Sequence, residues 1–155
     1  MALAMKTLQT LTLMLCALLA CAQPASAQPS APPQSPPDAA LLAAFGGEAG
    51  VRRLADLLVE RMRADARIGH YFERTNLAEL KKQLGDQLCQ LLAGPCVYQG
   101  AGMREAHADM GIRRADSLAQ VELLQDVMDQ LGVPFAAQNR LLARLAPMYR
   151  EIIER

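Results

Sequence analysis

An imbalance of charge is what this sequence most plainly lacks: 16 Lys and Arg stand against 16 Asp and Glu, for a formal net charge of 0. With no excess of positive charge there is no electrostatic case for nucleic acid as a partner. Strand formers are scarce too. No run alternates apolar and polar residues, Val, Ile and Thr are sparse, and there are only three Tyr; a sheet is therefore not expected. No internal repeat is visible. The chain also lacks an apolar run long enough to span a membrane, since Leu8 to Ala22 is too short and too rich in threonine.

The front of the chain does carry a pattern. Met1 to Lys6 is short with one positive charge, Leu8 to Ala22 is uncharged, and Ala25-Ser26-Ala27 is a small-residue exit before Gln28. That order is a secretory signal peptide over residues 1–27, and its removal with Lys6 leaves a net charge of −1. An alternative exit is Leu18-Leu19-Ala20-Cys21, which resembles a bacterial lipoprotein box and would leave a lipid anchor on Cys21. Leu19 fits that box poorly, so release into the periplasm is the first expectation and a membrane-tethered lipoprotein the second. Residues 28–38 are rich in Pro, Gln, Ser and Ala and read as an extended tether.

Four cysteines are present, and Cys16 and Cys21 fall in or beside the leader. Cys89 and Cys96 remain, an even pair destined for an oxidising compartment and hence a candidate disulfide. Gly94-Pro95 lies between them and lets the chain turn; closing so short a loop stabilises by roughly 2.5 kcal/mol in the chain-entropy model. The alternative is two free thiols. No spacing of Cys and His suggests zinc.

Residues 39–155 are read as one helical domain with a thin core. Asp38 caps a short helix that ends near Phe45 and Gly46-Gly47. Glu48 to Ala64 carries the stripe Val51, Leu54, Leu58 and Met62. Asn76 caps a long helix with Leu77, Leu80, Leu84, Leu88 and Leu91 on one face, stopped at Gly94-Pro95. A short helix covers about Gly102 to Asp109. Asp116 to Leu131 follows, with Leu118, Val121, Leu124, Met128 and Leu131 in register. Gly132-Val133-Pro134 is a stop and restart, and Phe135 to Ile153 closes the domain as one helix. A cavity filled by an apolar cofactor would complete the core.

His107 stands in Met103-Arg104-Glu105-Ala106-His107, after a loop and before the break at Gly111. A neutral imidazole there can give one nitrogen to iron while the other is fixed by a backbone carbonyl or water. Taken alone, such a histidine is an ordinary surface or core residue. Its setting is more specific: Gly46-Gly47, Phe72, Gly94-Pro95, Tyr98-Gln99-Gly100, Met103 and His107 follow in this order and at these separations. From about Leu41 to Glu154 the chain resembles the truncated haemoglobins of the first group. The resemblance implies an all-α fold, a shortened globin with two helices over two enclosing haem b, and it implies that His107 is the iron ligand. It places Phe72 against the haem face and Tyr98 in the loop before the iron-binding helix. Met103 lies one turn before His107 on the same face.

The chain departs from that family on the side where a gas binds. Where relatives place a tyrosine, in Asp-x-Phe-Tyr-x-Arg, this sequence reads Asp56-Leu57-Leu58-Val59-Glu60-Arg61. Counting back from Gly94-Pro95, Leu84 takes the place of a frequent glutamine, with Leu80 one turn earlier. The expected set Val59, Leu80 and Leu84 has no donor, whereas a hydrogen bond to bound, partly charged dioxygen is worth roughly 1.5–3 kcal/mol. Carbon monoxide and nitric oxide are expected to bind well, and oxygen weakly. Rotation of the helix by half a turn would present Gln83 or Gln87 instead, and Lys81 or Lys82 would reach a haem propionate; a solvated face is the default for each. His70 is a surface residue by default, with a sixth-ligand role as its alternative. Three functions follow: a carrier or sensor of a diatomic gas, an enzyme that detoxifies nitric oxide with an external reductant, or a haemless helical interaction module.

Overall fold

The computed structural model describes residues 37–153, with side chains from residue 39 onward. The leader, residues 28–36 of the tether, Cys16, Cys21 and the Asp38 side chain lie outside these residues, and Pro37 and Asp38, expected to end the tether, are already helical. Every regular element among those described is a helix. Helix α1 spans Pro37–Ala44 and buries Leu41, with Phe45 just beyond it. Proline at the first helical position loses no bond, which explains a start one residue before Asp38.

Helix α2, Gly47–Ala64, is the central element. Two rows of side chains spaced by four residues are buried on it: Val51, Ala55 and Val59 on one, Leu54, Leu58 and Met62 on the other. A stripe this wide requires neighbours on two sides. Helix α3, Leu77–Leu91, packs most extensively against α2, and α5, Arg114–Gln130, packs next. A 3-10 turn over Gly69–Phe72 carries the chain from α2 to α3.

Asn76 caps α3 as expected: its Oδ1 accepts the Glu79 N–H at 3.3 Å. Arg52 of α2 pairs with Asp86 of α3 at 2.7 Å, and Lys82 meets the same carboxylate at 3.0 Å. Lys82 first and Arg52 second hold the Asp86 carboxyl below the usual range.

The end of α3 differs from the expectation. Ala93, not Gly94, takes the left-handed conformation, with φ 58°. Ala93 N–H bonds the Gln90 carbonyl and Gly94 N–H bonds the Cys89 carbonyl at 2.8 Å, the pairing of a Schellman cap. Gly94 serves a different purpose, because a Cβ there would come within 2.6 Å of Cys89 Sγ. Cys89 and Cys96 are disulfide-bonded, 5.7 Å apart at Cα.

Three further bounds are corrected. Helix α4 is only Met103–Ala106, and His107 caps it; Asp109 and Gly111, at φ 60° and 66°, turn the chain away. Helix α5 starts at Arg114 because Asp116 reaches back to accept the Arg113 N–H at 2.9 Å. The last helix is interrupted: α6 covers Phe135–Leu145, a 3-10 turn Ala146–Met148, and α7 Tyr149–Ile152. Pro147 has no N–H to continue the ladder. Along α5 the buried side includes Ala119, Leu123 and Val127 together with Leu124 and Met128, and Leu118 is 48% exposed. The expected stripe through Leu118 is thus rotated, because α5 must face both α2 and a cavity.

Candidate functional site

That cavity has a volume of about 650 Å³ and is walled by α2, α3, α5 and the segments on either side. It falls within the ~300–1,000 Å³ of ligand and cofactor sites. Of the residues singled out in the sequence, His107, Phe72, Leu80, Leu84, Tyr98 and Met103 all line it. Val59 does not. It is fully buried in the row with Val51 and Ala55, while Leu58 and Met62 of the other row face the cavity. One residue's rotation on α2 makes the difference, about 100° at 3.6 residues per turn.

His107 is held by its own helix. Its Nδ1 lies 2.7 Å from the Met103 carbonyl oxygen. A carbonyl only accepts, so Nδ1 carries the proton and Nε2 keeps its lone pair. The ring is half-buried and belongs to the cavity wall. His70 is exposed, lies against Tyr71 with ring centroids 4.0 Å apart and planes tilted by 39°, and lines a separate surface depression rather than this cavity. The sixth-ligand alternative for His70 therefore has no support in the structure.

The loop leading to α4 is ordered by Tyr98. Its N–H donates to Gln90 Oε1 at 2.7 Å and its hydroxyl donates to the Ala101 carbonyl at 2.7 Å. Burial pushes the Tyr98 phenol up, so it stays a donor.

Polar groups enter the cavity that the leucine pattern does not anticipate. Leu80, Gln83, Leu84, Gln87 and Leu88 all face it, two parallel rows of leucine and glutamine on α3. The expectation of a wholly apolar wall is corrected accordingly, and the signal was in the spacing i, i+3, i+4, i+7, i+8. Gln87 Nε2 sits 3.3 Å from Met103 Sδ, across the cavity on α4. Gln83 Nε2 donates to Glu79 Oε1 at 2.6 Å, and its Oε1 is buried with no donor among the described residues. On another wall, the Tyr71 hydroxyl donates to Asp116 Oδ2 at 2.9 Å. Arg113, first through its side chain and then its backbone N–H, brings the Asp116 carboxyl down to about 2.

Among the described residues no three of His, Cys, Asp and Glu gather into a site for a bare metal ion. What exists instead is a largely apolar cavity with one imidazole presenting a free nitrogen. That arrangement fits a planar apolar cofactor that brings its own metal and takes one ligand from the protein.

The chain matches the family described as bacterial-like globin over residues 40–154. It is 38% identical over 89 residues to a group 1 truncated haemoglobin of Tetrahymena thermophila, covering 57% of this chain and 74% of that one. A group 1 truncated haemoglobin of Mycolicibacterium paratuberculosis is 27% identical over 114 residues, covering 74% and 84%. Among solved structures, the truncated haemoglobin of Tetrahymena pyriformis in its Fe(III) form superimposes with a TM-score of 0.71 at 29% identity, over 74% of this chain and 98% of that chain.

Proposed function

Since the chain belongs to the bacterial-like globin family and, within it, to the group 1 truncated haemoglobins, we propose that it binds haem b through His107 Nε2 and holds a small gas ligand on the opposite face. Its all-α fold is the two-over-two helical sandwich of that family. When bound, haem supplies an iron that coordinates the gas. The protein supplies the rest. The Met103 carbonyl holds His107 in the tautomer that ligates. Phe72, Leu80 and Leu84 exclude water from the ligand side. The Gln83 amide nitrogen is engaged by Glu79 and the Gln87 amide nitrogen by the Met103 and Met148 sulfurs, so both glutamine donors of α3 are already committed and oxygen is held weakly relative to carbon monoxide.

The observation that carries this reading is the fixed His107 ring in the wall of a largely apolar cavity. Purified protein given haem should show a Soret band that shifts with carbon monoxide, and His107→Ala should lose the ligated spectrum. Failure to take up haem would favour the haemless bundle. We also propose an exported protein served by a separate reductant; the Cys89–Cys96 disulfide supports an oxidising compartment.

A further inference from the structure

We infer that Tyr71 is a redox relay, passing electrons one at a time from a small phenol or quinol at the surface to hydrogen peroxide reduced inside the cavity, which gives the chain a one-electron peroxidase activity. The inference rests on the haem reading above and extends it. All three tyrosines of the chain line the cavity, and their hydroxyl partners set them apart. Tyr98 donates to the Ala101 carbonyl, which does not take up a proton. Among the described residues no carboxylate accepts from Tyr149. Tyr71 donates to Asp116 Oδ2 at 2.9 Å. A phenol that loses an electron becomes a strong acid, so its oxidation is easiest where a positioned base takes the proton in the same step.

Asp116 is such a base. It is 5% exposed, and Arg113 holds it through its backbone N–H at 2.9 Å and its guanidinium at 3.2 and 3.3 Å. Those contacts keep the carboxyl ionised. In the step itself the Tyr71 O–H bond breaks: the electron goes to the haem, the proton goes to Asp116 Oδ2, and a neutral phenoxyl radical remains. An electron from the reductant then restores the phenol as Asp116 returns the proton. Two such cycles turn one peroxide into two waters, while two donor molecules each lose one electron and one proton. The surface end of the path is His70. Its exposed ring lies against Tyr71, with centroids 4.0 Å apart, and lines the outer depression. Phe72 and Thr75 belong to that depression and to the cavity alike, so a single layer of side chains separates them. An aromatic donor can pack on the exposed imidazole.

The wild-type chain, haem-loaded and ferric, is mixed with one equivalent of hydrogen peroxide and a nitroso spin trap, then digested with trypsin. Tyr71, Tyr98 and Tyr149 fall on three different tryptic peptides, so mass spectrometry assigns the adduct without any substitution. The adduct is expected on Tyr71. An adduct confined to Tyr98 or Tyr149, or none at all, overturns the inference. Asp116→Asn keeps an oxygen to accept the Tyr71 hydrogen but cannot take its proton. It should lose most of the Tyr71 adduct and slow peroxide-driven oxidation of hydroquinone by roughly a hundredfold, the low end of what a positioned base contributes. Tyr71→Phe should lose the adduct outright and slow hydroquinone oxidation as far. Unchanged hydroquinone rates in both variants overturn the relay. Should either variant not fold, the wild-type adduct still decides. A wild-type chain that takes up no haem, or that keeps its ligated spectrum without His107, overturns the underlying reading instead.

Discussion

His107 Nδ1 and the Met103 carbonyl oxygen are 2.7 Å apart, so the imidazole is oriented by the backbone of its own four-residue helix and not by a side chain. The same residue, Met103, turns its thioether to the Gln87 amide across the cavity. Backbone and side chain of Met103 thus do separate things.

Replacing the thioether should leave the ligand geometry alone. In Met103→Leu the carbonyl remains, so the iron–histidine stretching band in the resonance Raman spectrum of the ferrous protein should not move. What is lost is the Gln87 contact, a weak hydrogen bond to sulfur, and thermal stability should fall only slightly. A shifted band would mean that the side chain, not the carbonyl, sets the ring.

Asp116 gives the fold a pH-dependent component. Its carboxyl accepts from Tyr71 and from Arg113 and titrates at about 2, below the ordinary value of about 4. A depressed folded value means that the stabilisation is present above about pH 4 and is lost as pH falls toward 2. Asp116→Asn should lower the thermal midpoint at neutral pH, and the gap to wild type should close as the acid side is reached. Melting curves taken from pH 7 down to pH 2 check this; a constant gap would remove Asp116 from the acid response.

Much of this was legible in the sequence, for reasons tied to particular residues. Asn76 and the Gly132-Val133-Pro134 break could be read because caps and breakers act locally. His107, Phe72, Leu80, Leu84, Tyr98 and Met103 could be placed at one site because their separations matched a family pattern. Val59 could not, because two buried rows run along α2 and the sequence does not say which one faces the cavity. The glutamines of α3 were read as solvated because polarity usually marks the outer face; a cavity reverses that rule for Gln83 and Gln87. The left-handed Ala93 was hidden behind Gly94, the residue that ordinarily takes that conformation.

Ala93 is a place where the protein can be made more stable. An alanine in the left-handed region costs about 1 kcal/mol or more, partly offset by the greater freedom of glycine in the unfolded chain. Ala93→Gly should therefore stabilise by about 0.5–1 kcal/mol, seen as a higher urea midpoint with an unchanged slope. A lower midpoint would show that unfolded-state entropy outweighs the strain.

The disulfide should matter more to cofactor retention than to the rest of the fold. Between Ala93 and Gly111 no residue is buried, so the segment that carries His107 has little apolar anchoring of its own. What holds it are the Cys89–Cys96 bond, the Tyr98–Gln90 hydrogen bond, the Gln87–Met103 contact and the packing of α4 on α7. Cys89 is fully buried on α3, so the bond ties this arm directly to the core. Removing a loop closure of this length costs roughly 2.5 kcal/mol on the chain-entropy estimate. The strain falls on the weakest part, which opens first. A double Cys89→Ala, Cys96→Ala variant should keep its helical circular dichroism and lose haem to an excess of apomyoglobin several times faster than wild type. Treatment of wild type with a thiol reductant should reproduce that rate, and leave the double variant unaffected. Equal haem loss in both proteins would show that the noncovalent contacts alone suffice to hold His107 in place.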